Sequence, residues 1–410
     1  MEMNHHIMAK ATTDAILDHF KSGKWTCCGN MGTGFYRVGC DASFPSPDAT
    51  FADDGTNAMA CFEFKPPTET KRGILTGVGQ CIAYLQNCDL AFLIAPKMLE
   101  DFRLGDYLSD MYSQQITNKI PVGLILYDNN NPNHVFLTKN VDAIEEAKHN
   151  KAIAPTSRFW AKHQDLPVEL FHLLLHCYYL KKVQSFDEDA FTYCWNNYLI
   201  DPDVPNTLQV KRVLDCTGKP IHTLGGRKEI TFLDKKINDY KDLPSEERHD
   251  RLAHDIDVTF QGDNYYRSIR KNYETFLKHI GMIDSEYNLT DDGYVMYHLG
   301  LANGPGSKLF NDYFAKIVLM KGHHLDLLLD IDLLRSKHLE LPVRDVLKTM
   351  YTDYQNRGMI KKNPGRQVAT VSNVGFLKYE FILWKAMGII RKDYSIDWKR
   401  VTEICLLPDK

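Results

Sequence analysis

The sequence predicts a mixed α/β region followed by a mainly α-helical one, and three observations carry this prediction. An Asp-Asp-Gly turn signal at 53–55 separates two strand-like segments. Two continuous apolar runs, LAFLIAP (90–96) and VGLILYD (122–128), are typical of strands that are covered on both faces. From about residue 164 onwards, apolar side chains recur with the 3.6-residue period of helices.

The first elements are a helix and a hairpin. Residues 9–21 are predicted to be helical, because their apolar side chains fall on one side of a helix. Segments 47–51 and 57–65 flank the turn and are predicted to pair as a β-hairpin.

A helix is predicted next, at 72–87, because Ile74, Val78 and Ile82 recur every four residues. A helical stretch near 98–117 then separates the two apolar runs. The order helix, hairpin, helix, strand, helix, strand predicts a mixed central sheet flanked by helices.

The chain is long enough for two or three domains. We expect the α/β domain at 1–150, a helical linker or DNA-recognition region at 151–255, and a third region at 256–410. The turn-rich stretch at 201–226 is a candidate boundary between them.

Composition limits the protein classes to consider. The chain has 410 residues, 44% of them hydrophobic and 25% charged, as in ordinary globular proteins. No long apolar run or secretory N-terminus is evident, so we expect no membrane association and a cytoplasmic location. The ten cysteines form no pair of CxxC motifs, which predicts reduced thiols and argues against structural zinc. The formal net charge of −4 means that any DNA-binding basic surface is local.

The strand-like segment CFEFK carries the candidate chemistry. Because side chains alternate along a strand, Glu63 and Lys65 share one face, and Phe62 and Phe64 share the other. Asp48 lies at the start of the partner strand and is expected to converge on Glu63. Two neighbouring carboxylates favour a cation between them, and hard oxygen ligands suit Mg²⁺.

These residues carry a family resemblance. Pro47-Asp48, fourteen intervening residues and then Glu63-Phe64-Lys65 resemble the PD-(D/E)XK motif of the restriction-endonuclease-like nuclease superfamily. The predicted order of elements is similar to the common core of that superfamily. The resemblance covers roughly residues 9–130 and implies a restriction-endonuclease-like core.

The resemblance also implies roles for these residues. Asp48 and Glu63 would bind Mg²⁺ together with the backbone carbonyl of Phe64. Lys65 would act on the nucleophilic water, and Gln80 would support the substrate or the metal. The implied reaction is hydrolysis of a phosphodiester bond.

Two further features belong to this resemblance. Gln80 and Tyr84 form a QxxxY pair that looks like the pair in RecB-type exonucleases, and four residues place both on one helical face. That polar face is expected to oppose Ile74. Some members of the superfamily add an acidic residue from the first helix, and either Asp14 or Asp18 would serve.

Alternatives remain open at several positions. Asp41 is a rival to Asp48 as the first carboxylate. Glu63 and Lys65 could instead be solvated charges on an edge strand.

The adjacent histidine pairs are poorly spaced for one metal ion on a helix. His5-His6 and His323-His324 are therefore expected at the surface.

The last third of the chain contains a weak internal repeat. Segments 279–290 and 386–397 align without gaps, and each follows a helix that ends at glycine. They resemble the passage from helix to wing in winged-helix domains, and the rival interpretation is a pair of ordinary glycine C-caps. The basic segment 357–367 between the two copies could approach phosphates or be a solvated loop. The candidate DNA-binding residues are Lys278, Lys361, Lys362, Arg366 and Lys385.

The resemblance therefore implies a Mg²⁺-dependent endonuclease, similar to type II restriction enzymes. Its expected partners are double-stranded DNA, a second copy of the chain in a homodimer, and a cognate DNA methyltransferase that acts on the same site. The alternatives are a non-catalytic winged-helix regulator with a decayed nuclease fold, and a QxxxY-type exonuclease or repair nuclease.

Overall fold

The structure is a computed structural model. It describes residues 2–39, 46–114, 119–142, 158–163, 167–194, 197, 242–244, 246–247, 251, 264–361 and 376–407. The chain forms two compact units. The sheet unit comprises Met1–Ala161, Val318–Phe376 and Pro408–Lys410, and the helical unit comprises Lys162–Ile317 and Leu377–Leu407.

The helices of the described residues are numbered in chain order. They are α1 (Glu2–Lys21), α2 (Lys71–Tyr84), α3 (Leu104–Ser113), α4 (Val168–Gln184), α5 (Ala190–Cys194), α6 (Asn264–His279), α7 (Asp291–Asn303), α8 (Lys308–Met320), α9 (His324–Lys337), α10 (Val343–Arg357), α11 (Lys378–Ala386) and α12 (Trp398–Cys405).

Among the described residues, the sheet unit contains one six-stranded mixed sheet, whose strands follow chain order. The strands are β1 (Phe35–Val38), β2 (Ala49–Asp53), β3 (Met59–Phe64), β4 (Leu90–Pro96), β5 (Val122–Asp128) and β6 (Asn131–Lys139). The central pairs β3–β4 and β4–β5 are parallel, and the other three pairs are antiparallel. The predicted α/β class with a mixed sheet is confirmed.

One face of the sheet is aromatic. Phe62 of β3 stacks on Phe92 of β4, and its ring lies 4.5 Å from that of Phe51. Phe20 of α1 packs edge-on against Phe92, so α1 contributes to this layer. The prediction that the phenylalanines of β3 fill a core is confirmed.

The other face of the sheet is covered by α2 and α3. Cys61 and Leu93 belong to this second core, together with apolar residues of both helices. Glu63 and Lys65 stand on the same face and are buried. The alternative of a solvated edge strand is wrong, because β3 lies between β2 and β4.

Helix α2 turns a different face to the sheet from the one expected. Its buried residues are Ile74, Gly77, Cys81 and Tyr84, whereas Ile82 is 45% exposed. The predicted apolar face that included Ile82 is therefore wrong. Residues spaced by three, four and three positions stay on one face of a helix, whereas residues spaced repeatedly by four positions move gradually around it.

Buried ion pairs join α9 to the N-terminal elements. Lys10 Nζ of α1 lies 2.8 Å from Asp330 Oδ1, and Arg37 of β1 donates to Asp326 Oδ2 at 2.9 Å. Buried charges need such partners, so α9 completes the sheet unit. The two units therefore do not follow the predicted boundaries at 150 and 255.

The helical unit contains both copies of the internal repeat, and they share one backbone conformation. Gly281 and Gly388 follow helices α6 and α11 with φ of 72° and 71°. Tyr287 and Tyr394 are also left-handed, with φ of 65° and 63°. The glycine C-cap interpretation is confirmed in both copies, and the winged-helix resemblance stays a prediction.

A short bridge and a capped helix complete each copy. Ile283 pairs with Leu289 and Ile390 with Ile396 in isolated antiparallel bridges. The following helices begin at side-chain caps, because Thr290 accepts from Gly293 N and Asp397 accepts from Arg400 N.

One expectation about cysteines is corrected. Cys61 of β3 and Cys88, 27 residues later, are joined by a disulfide with a Cα–Cα distance of 6.4 Å. Both side chains are buried in the core under α2, where the turn after this helix brings Cys88 beside the strand.

None of the helices in the described part of the chain combines the length and the apolar character that crossing a lipid bilayer needs.

Candidate active site

Two carboxylates meet at the open end of the β2–β3 hairpin. The antiparallel register ends with Ala49 opposite Phe62, and Asp48 is the residue just before β2. Its charge is close enough to raise the pKa of Glu63. Asp48 is held there by two backbone contacts, because its N–H donates to Phe62 O at 3.0 Å and its Oδ2 accepts from Phe64 N at 2.7 Å.

Lys65 lies directly beside these carboxylates. Its Nζ is 2.8 Å from Glu63 Oε1 and donates to Gln80 Oε1 of α2 at 2.9 Å. The backbone of Lys65 is also fixed, because its N–H donates to Ile94 O and its carbonyl accepts from the Tyr127 hydroxyl. The predicted proximity of Asp48, Glu63, Lys65 and Gln80 is thus present in the structure.

Tyr84 completes the enclosure of Glu63. Its hydroxyl donates a short hydrogen bond to Glu63 Oε2. Gln80 and Tyr84 are one helical turn apart on α2 and reach the two charged residues of β3 from the same side. Both members of the QxxxY pair therefore contact the site.

The environment makes Glu63 easier to protonate than an ordinary carboxyl. Burial, together with the nearby charge of Asp48, raises the pKa of Glu63 to about 7, although Lys65 and Tyr84 act in the opposite direction. A buried carboxylate beside a partly exposed one is stabilised in its ionised form by a positive charge between the two. The oxygen ligands available are Asp48, Glu63 and the Phe64 carbonyl, which suit a hard cation such as Mg²⁺.

His5 of α1 also belongs to this site. Its Nε2 lies 3.5 Å from Asp48 Oδ1, and its ring packs edge-on against Phe64 at 5.3 Å. Burial alone lowers the pKa of His5, but the hydrogen bond and charge of Asp48 outweigh it and raise that pKa. The His5 side chain is 36% exposed, so it lies at the edge of the site, and no local motif in the sequence indicates its contact with Asp48.

The acidic residues of α1 lie in a different network. Asp14 contacts Lys10 at 2.6 Å and Arg357 at 3.7 Å, and Asp18 lies 3.4 Å from Arg357. The salt bridges of these carboxylates are thus with basic side chains of α1, β1 and α10, including Arg37 at 3.5 Å from Asp14. The structure does not bring them together with Glu63.

The candidate DNA-binding lysines have local partners. Lys278 and Lys385 lie over the rings of Tyr287 and Tyr394, with Nζ 3.5 Å and 3.6 Å from the ring centroids. Lys361 belongs to the sheet unit and lies 2.8 Å from Asp54 Oδ1. Lys362, Arg366 and the rival carboxylate Asp41 lie outside the described residues.

A second cluster gathers residues that are distant in the sequence. His6 of α1 lies beside His323 and Asp326, which flank the start of α9. His324 is buried and hydrogen-bonds Ala161 O at 2.6 Å. The expectation that these histidines lie at the surface is therefore wrong.

Comparisons with protein-family models and with curated proteins found no match to this chain.

Proposed function

We propose that this chain is a Mg²⁺-dependent nuclease that hydrolyses phosphodiester bonds in double-stranded DNA, as a site-specific endonuclease similar to type II restriction enzymes. One observation carries the proposal. Asp48, the residue just before β2, lies close enough to Glu63 for its charge to raise the pKa of that carboxyl, and the ammonium of Lys65 is 2.8 Å from Glu63.

The donor set fits the proposed ion. Asp48, Glu63 and the Phe64 carbonyl would hold Mg²⁺, which when bound neutralises charge on the scissile phosphate and supplies an activated water. Asp48 is oriented on both sides, because Oδ2 accepts from Phe64 N and Oδ1 lies 3.5 Å from His5 Nε2. Glu63 would hold the cation in its ionised form, since opposite charges stabilise each other.

The remaining residues hold Lys65 and the carboxylates in place. Gln80 accepts a hydrogen bond from Lys65, and therefore keeps its ammonium beside Glu63. From that position Lys65 would orient the attacking water and stabilise the charge that develops on the phosphate. Tyr84 fixes the second oxygen of Glu63, and His5 orients Asp48.

The partner assignments extend the same proposal. Double-stranded DNA is the proposed substrate, and a homodimer would supply the two active sites that a double-strand cut requires. Selection of the DNA is assigned to the helical unit with its repeated helix–turn segments. A cognate methyltransferase would protect the same site in the host DNA.

The test is digestion of circular and linear DNA of mixed sequence with Mg²⁺, using methylated and unmethylated substrates. We expect discrete fragments from wild type and none from Glu63→Ala. Asp106→Ala is a matched control, because this exposed carboxylate pairs only with Arg103 at the surface among the interactions described.

Other outcomes distinguish the alternatives. Degradation of linear DNA alone would replace the endonuclease with a QxxxY-type exonuclease. Absence of Glu63-dependent cleavage from every substrate, in a protein that still binds DNA, would favour the non-catalytic regulator.

A further inference from the structure

A second group of potential metal ligands lies in the sheet unit. It differs from the Asp48–Glu63 pair in its ligand types, because two of its three members are histidines. His6 Nε2 is 2.6 Å from Asp326 Oδ1, and His323 Nδ1 is 3.5 Å from Asp326 Oδ2. One ligand atom from each of the three side chains lies within 4.8 Å of the others. Two ligands of a tetrahedral Zn²⁺ are about 3.3 Å apart, so small side-chain rotations bring all three to one ion.

Burial makes this cluster unusual. Asp326 is fully buried, and His323 Nδ1 is a buried nitrogen whose nearest carboxylate oxygen is beyond a well-formed hydrogen bond. His323 also has a left-handed backbone, with φ of 55°, at the residue before α9. A non-glycine residue in this region is strained, and such strain is typical of sites where a side chain is aimed at a partner.

The surroundings of Asp326 resemble the outer shell of a metal site. Arg37 donates to Asp326 Oδ2 at 2.9 Å, and this bond fixes the plane of the carboxylate. Ligating carboxylates are commonly held by such hydrogen bonds. The other oxygen, Oδ1, points to His6.

The ligand types select the ion. Imidazole nitrogens suit Zn²⁺ and its neighbours in the first transition row, whereas Mg²⁺ prefers oxygen. The alternative to a metal ion at this position is a proton on His6. Such a proton links only His6 and Asp326, through a hydrogen bond. It leaves the buried nitrogen of His323 without a strong partner, whereas a metal ion engages all three.

We propose that His6 Nε2, His323 Nδ1 and Asp326 Oδ1 bind a divalent transition-metal ion of the Zn²⁺ class, with water as the fourth ligand. The ion fastens the first turns of α1 to the start of α9. Because His5 is the neighbour of His6, the same ion fixes the part of α1 that reaches Asp48.

The test uses the full chain, freed of metal by a chelator and titrated with Co²⁺ as a visible-absorption probe for Zn²⁺. We expect one equivalent of Co²⁺ with the intense bands of a four-coordinate site, which Zn²⁺ then removes. His6→Ala and His323→Ala should each weaken Co²⁺ binding by at least about tenfold to a hundredfold. His338→Ala is the matched control, since this histidine follows α9 and contacts Glu340 instead.

Three results would overturn the proposal. These are Co²⁺ binding that is equal in wild type and both histidine variants, no binding at all, or binding that is lost in Glu63→Ala. The last would place the ion at the carboxylate pair. If His323→Ala does not fold, judged by circular dichroism, His6→Ala decides the question, because His6 lies within helix α1, where alanine is a good helix former.

Discussion

The protonation of Glu63 depends on its burial and on the charge of the neighbouring Asp48. The pKa of Glu63 is raised to about 7 by burial and by the neighbouring charge. The folded protein without metal therefore binds a proton that the unfolded chain releases at lower pH. The contribution of Glu63 to the free energy of unfolding therefore falls as the pH rises between about 4.5 and 7, by at most about 1.4 kcal/mol per pH unit.

This linkage gives a prediction about pH. Because Mg²⁺ binds the ionised carboxylates, the rise in melting temperature caused by MgCl₂ should be larger at about pH 8 than at about pH 6. Glu63→Gln should remove the contribution of Glu63 to the pH slope of the metal-free protein, and the Mg²⁺ effect with it. An equal Mg²⁺ effect at both pH values, measured by differential scanning calorimetry, would contradict the assignment of Glu63.

His5 gives a second prediction at this scale. His5→Ala should raise the Mg²⁺ concentration needed for half-maximal cleavage by about tenfold, because Asp48 loses the group that orients it. Saturating Mg²⁺ should restore most of the rate. His19→Ala, on the same helix, is the control, and an unchanged Mg²⁺ dependence in His5→Ala would show that His5 only packs against Phe64.

At the scale of elements, α2 is close to β3 because a glycine faces the strand. A Cβ at Gly77 would lie 2.6 Å from Lys65 Cε and 2.9 Å from Leu93 Cδ1, whereas a Cβ at Gly79 meets nothing within 4 Å. These two glycines of one helix therefore form a natural pair for comparison.

We expect Gly77→Ala to displace the Lys65 side chain and to lower cleavage by about a hundredfold, since small misplacements of catalytic groups have large effects. Its cost to the free energy of unfolding should be about 1–3 kcal/mol. Gly79→Ala should keep activity and stabilise the helix by up to about 1 kcal/mol. Cleavage assays and thermal melts of both variants check this. Full activity of Gly77→Ala would show that cleavage does not depend on where the Lys65 side chain lies.

At the scale of the whole molecule, the sheet unit is assembled from three separate stretches of the chain, of which Met1–Ala161 and Val318–Phe376 are the first and second. Lys10 and Arg37 of the first stretch are buried and pair with carboxylates of α9 in the second. Without α9, Lys10 and Arg37 lose Asp330 and Asp326 and are left to share the single carboxylate of Asp14. Breaking a buried ion pair by removing one partner costs about 3–5 kcal/mol.

A fragment of residues 1–161 should therefore fail to fold, although it contains the entire predicted nuclease motif. Circular dichroism and limited proteolysis of the fragment, beside the full chain, check this. Cooperative unfolding of the fragment together with Glu63-dependent cleavage would show instead that the first 150 residues form an autonomous domain.

The sequence by itself determined the features that depend on near neighbours. Alternation placed Glu63 and Lys65 on one face of β3, and the Asp-Asp-Gly turn set the hairpin that carries Asp48. The repeat in the helical unit was visible as well, because glycine and tyrosine occupy the left-handed positions of both copies. In each case the determining geometry spans a few residues.

Only the tertiary structure decided which distant residues share a site. His5 reaches Asp48, and His6 reaches Asp326 across 320 residues of sequence. The face of α2 that is buried was likewise set by its contact with β3 and not by its own apolar pattern. The physical reason is that a buried charge is stabilised by whichever opposite charge the packed elements bring within a few ångströms, and sequence spacing carries no information about that distance.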